Sequence, residues 1–292
     1  MSYIVSPFTP VFWKPTADKF GAKTQYVQTW AQTDRILVQC IQLGDGAPIV
    51  GKEGNVPSLS LKDMSTGNVS LLAWQSWALN EWATVKWCVI TALQVGIYSL
   101  LLGDSESEPF CVSDEQDILN QTCLLQYSSK DNRQRMDAAF VVNGVRQFFD
   151  FRIPGGFIDN GWTFGVDNEQ FTTGLYDTVD VHAHELVQKT LTLGNSEGVP
   201  VWFADLLNRL LTCTYVYVDQ VRFSRHESDV PEIVSEMEGL RSYVFTQTLQ
   251  QVVNLMPDVE AANIVRLRRV GEVQDDYRVA EIEGETVNRI VE

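Results

Sequence analysis

From residue 31 to about 115 the apolar residues come in short runs cut by turn signals. Arg35 to Gln42 (RILVQCIQ) predicts a strand with a buried face. Pro57 to Asp63 sets Leu59 and Leu61 against polar neighbours. Ser65-Thr66-Gly67-Asn68 is a turn into Val69–Trp74, and Trp82–Ala92 and Gly96–Leu102 are further runs. Turn signals at roughly 10–15-residue intervals suit a β-sandwich, here expected to be jelly-roll-like. Residues 1–30 are punctuated by Pro7, Pro10 and Pro15 yet carry Phe8, Val11, Phe12, Trp13, Tyr26 and Trp30. That is too apolar for a free tail, so an arm that packs on its own domain or on a neighbouring subunit is expected.

The acidic stretch 103–120 marks a boundary, giving a sandwich over 31–115 and an α+β domain over 116–256. Pro109 to Val112 reads as a closing strand and Ser113 to Gln116 as a loop. In the second domain Thr122–Tyr127 reads as a strand, and Ala138–Asp150 as a hairpin around Asn143-Gly144, the favoured two-residue turn. Arg152 to Phe157 (RIPGGF) reads as an irregular link, and Phe164–Tyr176 as turn-rich around Asp167-Asn168-Glu169. After Thr190–Leu193 and Gly194-Asn195, Gly198-Val199-Pro200 launches a helix in which Phe203, Leu206, Leu207, Leu210 and Leu211 form one apolar stripe. Thr214–Val218, a turn at Asp219-Gln220 and Val221–Ser224 follow as a second hairpin. Its sequence (VYVDQVRF) echoes Val141–Phe148 (VVNGVRQF), which leaves open two related β units sharing a sheet or a chance likeness of turns. Pro231–Met237 reads as a linker and Leu240–Val253 as a strand. Residues 257–292, with a strand-like Ile264–Val270, read as an acidic arm or tail. The expected class is therefore mainly β with few helices: a sandwich, then a sheet carrying one amphipathic helix.

The net charge of −16 is spread along the chain, and the only Lys/Arg cluster in sequence is Arg266, Arg268 and Arg269. This argues against nucleic acid, which needs a basic stripe. No basic region followed by an apolar run marks a signal peptide, and no run nears the roughly 18 apolar residues of a membrane span. Cys40, Cys88, Cys111, Cys123 and Cys213 are widely spaced without a CxxC, the pattern of reduced, buried thiols in a chain made in a cytoplasm.

Candidate chemistry is sparse. Trp74, Trp77, Trp82 and Trp87 invite a sugar-stacking reading, against which stands their ordinary use as core or subunit contact. His182-x-His184 with Glu185 would put two rings on one strand face, but no HExxH, CxxC or EF-hand pattern supplies further ligands. Carboxylate pairs such as Asp177 with Asp180, or Glu106 with Glu108, say little in so acidic a chain. Gly194-Asn195-Ser196-Glu197-Gly198 resembles a phosphate-cradling turn without the P-loop lysine. No nucleophile elbow is present. We expect no catalytic residue, metal or cofactor.

SEPFCV (107–112), FRIPGGF (151–157), VDNEQF (166–171), KTLTLGNSEGVPVWFADLLNRLL (189–211) and the hairpin ending at Ser228 together resemble structural proteins of phage or prophage tails, of minor or distal tail type. The resemblance spans most of 31–232. It implies a non-enzymatic block that assembles with itself and other virion proteins, made in the bacterial cytoplasm and carried into a tail. It transfers no site residues. The alternative is a glycan-binding or adhesive module using the tryptophans of the sandwich.

Overall fold

The computed structural model describes residues 2–13, 26–174, 176–195, 198–226, 231–237 and 242–252. The side chains of 158–160, 180–184 and 234–237 lie outside that description, as do the expected arm at 257–292 and the strand over Ile264–Val270. The described chain is mainly β, with two helices.

The first strands are β1 (Ser2–Val5), β2 (Gln28–Ala31), β3 (Ile36–Leu43), β4 (Lys52–Glu53), β5 (Leu59–Asp63), β6 (Val69–Leu72), β7 (Gln75–Ala78), β8 (Ala83–Ile90), β9 (Gly96–Leu102), β10 (Ser105–Glu106) and β11 (Phe110–Ser113). They form two sheets, ordered β4-β1-β3-β8-β7 and β2-β11-β9-β5-β6, with β10 also on β9. All pairs are antiparallel except β2 with β11. Val38 and Cys40 of β3 and Cys88 and Ile90 of β8 meet Leu59, Leu100, Phe110, Val112 and Trp30 of the facing sheet in one core. Strand β3 is buried on both faces. Ile36, Val38 and Cys40 point into the sandwich, while Leu37, Ile41 and Leu43 pack on residues of the second half. Two covered faces explain why β3 reads as a nearly unbroken apolar run.

The second half contains α1 (Gln116–Leu119), β12 (Thr122–Ser128), β13 (Val141–Val142), β14 (Val145–Arg146), β15 (Phe149–Thr172), β16 (Thr178–Leu193), α2 (Val201–Leu210), β17 (Tyr215–Val218), β18 (Val221–Arg225), β19 (Glu232–Met237) and β20 (Ser242–Gln251). The order β16-β15-β12-β17-β18-β20 closes on itself, because β20 also pairs with β16, and a barrel results. Leu125, Phe151, Leu191, Val216, Phe223 and Leu249 belong to its core, joined by Phe203, Leu206, Leu207 and Leu210 of α2. The expected helix and its stripe are thus present, with Pro200 just before the first turn. Each large apolar side chain buried there contributes about 1.5–3 kcal/mol.

Several loops expected from the sequence are strands. RIPGGF runs within β15, because Gly155, at φ +108°, lets the strand bend while still pairing with Leu193. A Cβ at Gly155 would fall on the Thr192 carbonyl oxygen. The stretch from Phe164 also stays in β15 as far as Thr172, and the turn waits until Thr173–Asp177, where the Thr173 amide donates to the Asp177 carbonyl. Residues expected as a linker before Met237 form β19, paired along β20. The loop expected at Ser113–Gln116 is present as Asp114–Glu115, between β11 and α1. Asn143-Gly144 and Asp219-Gln220 all have positive φ, the signature of type I′ turns. The echoing hairpins share that turn but not a sheet, since β13–β14 stands as its own pair and β17–β18 is part of the barrel wall.

The N-terminal segment packs between the halves. Phe8 lies edge-on to Phe140 at 5.0 Å, and its carbonyl accepts from the Tyr127 hydroxyl. Buried Gln39 donates to the Ala139 carbonyl and accepts from the Ala139 amide, both at 2.8 Å. Arg35 binds Asp150 at 3.3 Å, and Arg152 grips Asp34 through two nitrogens at 2.6 and 3.0 Å. No helix among the described residues is long and apolar enough to cross a membrane.

Candidate functional site

The feature with the most unclaimed chemistry is the distal part of β15 and β16. From the Phe164–Val187 pair outward these strands leave the barrel and pair only with each other, as a ribbon ending at the Thr173–Asp177 turn, whereas Gln188 and Lys189 still pair with β20. Paired residues of an antiparallel ladder share a face. Trp162, Phe164 and Val166 therefore lie beside Lys189, Val187 and Glu185 on one face, while Thr163 and Gly165 lie beside Gln188 and Leu186 on the other. Phe164 is 70% exposed and Val166 62%, and Phe171 and Tyr176 nearer the tip are also exposed. A ribbon this long with bare aromatics is not stabilised by its own contacts.

A cation closes the ribbon's base. The Lys189 ammonium sits 3.7 Å from the Trp162 ring centroid and about as near Phe157 as Phe223, at 5.4 and 5.5 Å. Partial burial pushes its pKa down. The attraction of the ring faces for the charge opposes that burial cost. Lys189 thus anchors the ribbon where the barrel core ends and the exposed face begins.

Charge distinguishes the ribbon as well. Between Arg152 and Lys189 the sequence has no Lys or Arg, yet it has Asp159, Asp167, Glu169, Asp177, Asp180 and Glu185. Asp167, Glu169, Asp177 and Glu185 are exposed. The ribbon is an acidic projection with an apolar face.

The tryptophans do not make one platform. Trp74 donates its Nε1–H to the Pro57 carbonyl at 2.9 Å and packs on the sandwich core. Trp82 and Trp87 pack on the opposite side of the first sheet, against the cluster containing Ile41 and Leu43. Trp77, on edge strand β7 opposite Val85, is the most open of the four at 41%. Trp202, in α2, stacks on Phe12 at 5.2 Å.

The remaining candidates serve the scaffold or lie outside the description. The side chains of His182 and His184 are outside it, and so is Asp180. Glu106 binds Lys62 and the Ser99 hydroxyl, and Glu108 accepts from the Tyr26 amide. In the glycine turn before α2 the Gly198 amide donates back to the Gly194 carbonyl. All five cysteines are free thiols, and burial pushes Cys40 and Cys213 up to about 12. Among the described residues no group of three or more His, Cys, Asp or Glu is placed to hold a metal ion. A cavity of about 10 Å³ beside Trp30, Asp34 and Ile90 has room for a single water.

Sequence reasoning missed the ribbon because Asp167-Asn168-Glu169 and the glycines read as turns. The signal was the alternation of Trp162, Phe164 and Val166, matched by Val187 beyond the true turn. No protein-family model matches the chain, and no curated protein matches it either.

Proposed function

We propose that the chain is a non-enzymatic building block of a phage- or prophage-type tail, made in the bacterial cytoplasm, which packs against copies of itself and other virion proteins. The observation that carries this reading is the ribbon, whose aromatic face stands bare beyond the barrel. Exposed contiguous apolar surface rimmed by charge marks an interaction site. The sequence resemblance to tail proteins supports the same reading. The glycan reading draws less support, because Trp74 faces away from the other three tryptophans, and Trp82 and Trp87 are engaged in packing.

The test is the mass of the full chain across a concentration series by light scattering after size exclusion, with electron microscopy of the same fractions. A defined oligomer is expected, and it should be lost when residues 165–186 are replaced by Asn-Gly, which closes the ribbon at the Phe164–Val187 pair. A single-chain mass at every concentration would overturn the reading.

A further inference from the structure

The chain carries a net charge of −16, yet among the described residues its fold gathers a basic patch from distant segments. Arg146 of β14 and Arg222 of β18 lie on the ring of Tyr215, 4.5 and 5.0 Å from its centroid. Arg146 also donates to the Lys130 carbonyl, Arg222 to the Thr214 carbonyl, and the Lys130 amide to the Thr214 hydroxyl. Arg133 stands three residues further on, 90% exposed at its side chain, with Asp131 at 4.0 Å. Exposed Val145 adjoins Arg146 in β14. Arginines mixed with apolar side chains are the composition of an interface centre.

The position of this patch is as informative as its charge. Strand β15 starts at Phe149 opposite Tyr127, and Ser128 lies opposite Tyr215, so Lys130 and Tyr215 mark one end of the barrel. Strand β15 passes Thr122 at Pro154 and leaves from the other end as the ribbon. A chain therefore carries its acidic ribbon and its basic patch at opposite ends, and its own ribbon points away from its own patch.

We infer that the basic patch around Lys130, Arg133, Arg146 and Arg222 receives the acidic, aromatic-faced ribbon of a second copy of this chain. The inference rests on the self-assembling role proposed above and names its receiving surface. The match is of charge, with Asp167, Glu169, Asp177 and Glu185 of one copy meeting the cations of the next, while exposed Phe164, Val166 and Tyr176 bring apolar surface to the contact. Because the two surfaces differ, the contact is head-to-tail. It propagates into a closed ring or an open filament and does not stop at a dimer.

The experiment uses two full-length variants. K130E/R133E reverses exposed patch charges and leaves Arg146 and Arg222 on Tyr215. D167K/E185K reverses the ribbon and leaves the Lys189 anchor. Each variant alone is expected to lose association by about tenfold or more, the scale of like-charge juxtaposition. An equimolar mixture is expected to regain it, because the reversed ribbon meets the reversed patch while the two unaltered surfaces meet each other. Circular dichroism of each variant checks the fold, and F164S, at an exposed position, weakens the contact without changing charge. Wild-type oligomers with both variants associating normally, or a mixture that stays at single-chain mass, would overturn the inference and leave the assembly role standing. A wild-type chain that never associates would overturn both.

Discussion

The two halves of strand β15 have the same alternation and opposite fates. In the inner half Phe149, Phe151 and Ile153 are fully buried, and the other face offers Asp150 and Arg152 to the sandwich. In the outer half Trp162, Phe164 and Val166 repeat the pattern one register on, past the irregularity between Phe157 and Trp162; Lys189 lies over Trp162, while Phe164 and Val166 stand exposed. The inner half is held by packing and ion pairs on both faces. The outer half is a strand only because its ladder with β16 continues. Alternation thus specifies a strand and a face, but not what that face is for. An apolar face left bare on a built, cation-anchored ribbon is what the proposed assembly would cover.

The comparison breaks most visibly at Phe151. Phe151→Ala should destabilise the protein by about 3–5 kcal/mol through lost burial and a cavity beside Phe203 and Trp202, read as a lower urea midpoint. Next comes the polar face of the inner half. Arg152→Met strands Asp34, which is 3% exposed at its side chain, with the Ala31 amide as its remaining hydrogen-bond donor, and should cost about 3 kcal/mol in the same assay. A loss near zero would mean that this pair does not join the halves.

Alkaline titration probes the inner half more gently. Cys123 pairs with Ile153, and burial pushes both its thiol and the Tyr127 phenol upward. A raised folded-state pKa means that the stability is fully present below the unfolded value, 9.0 for the thiol, and is lost as pH rises through the folded value. Melting temperature should therefore fall above pH 9.0, and Cys123→Ala should flatten that fall; an unchanged slope would show that Cys123 is not the group being titrated. The smallest expected effect sharpens the contrast. Phe164→Ala should alter unfolding stability by no more than about 0.5 kcal/mol, as exposed positions do, yet lower the oligomer mass at fixed concentration. A large stability loss would make Phe164 part of the fold.

Much of the architecture was legible along the chain. The stripe from Phe203 to Leu211, the Asn143-Gly144 turn and the runs at β3, β8 and β9 are local patterns, set by helix and strand periods and by the conformations that turn residues tolerate. The Gly-Pro punctuation of RIPGGF misled for an equally local reason: a glycine that permits a loop also permits a bent strand. What the sequence alone determined was where strands, turns and the helix form and which of their faces are apolar. Only the tertiary structure decided which faces are covered, that β20 returns to β16 to close a barrel, and that Arg146 and Arg222 meet on Tyr215 in a chain of net charge −16. Charge and apolar pattern are properties of neighbours in sequence, whereas a patch or a bare face is a property of neighbours in space, and the pairing of distant strands alone makes one into the other.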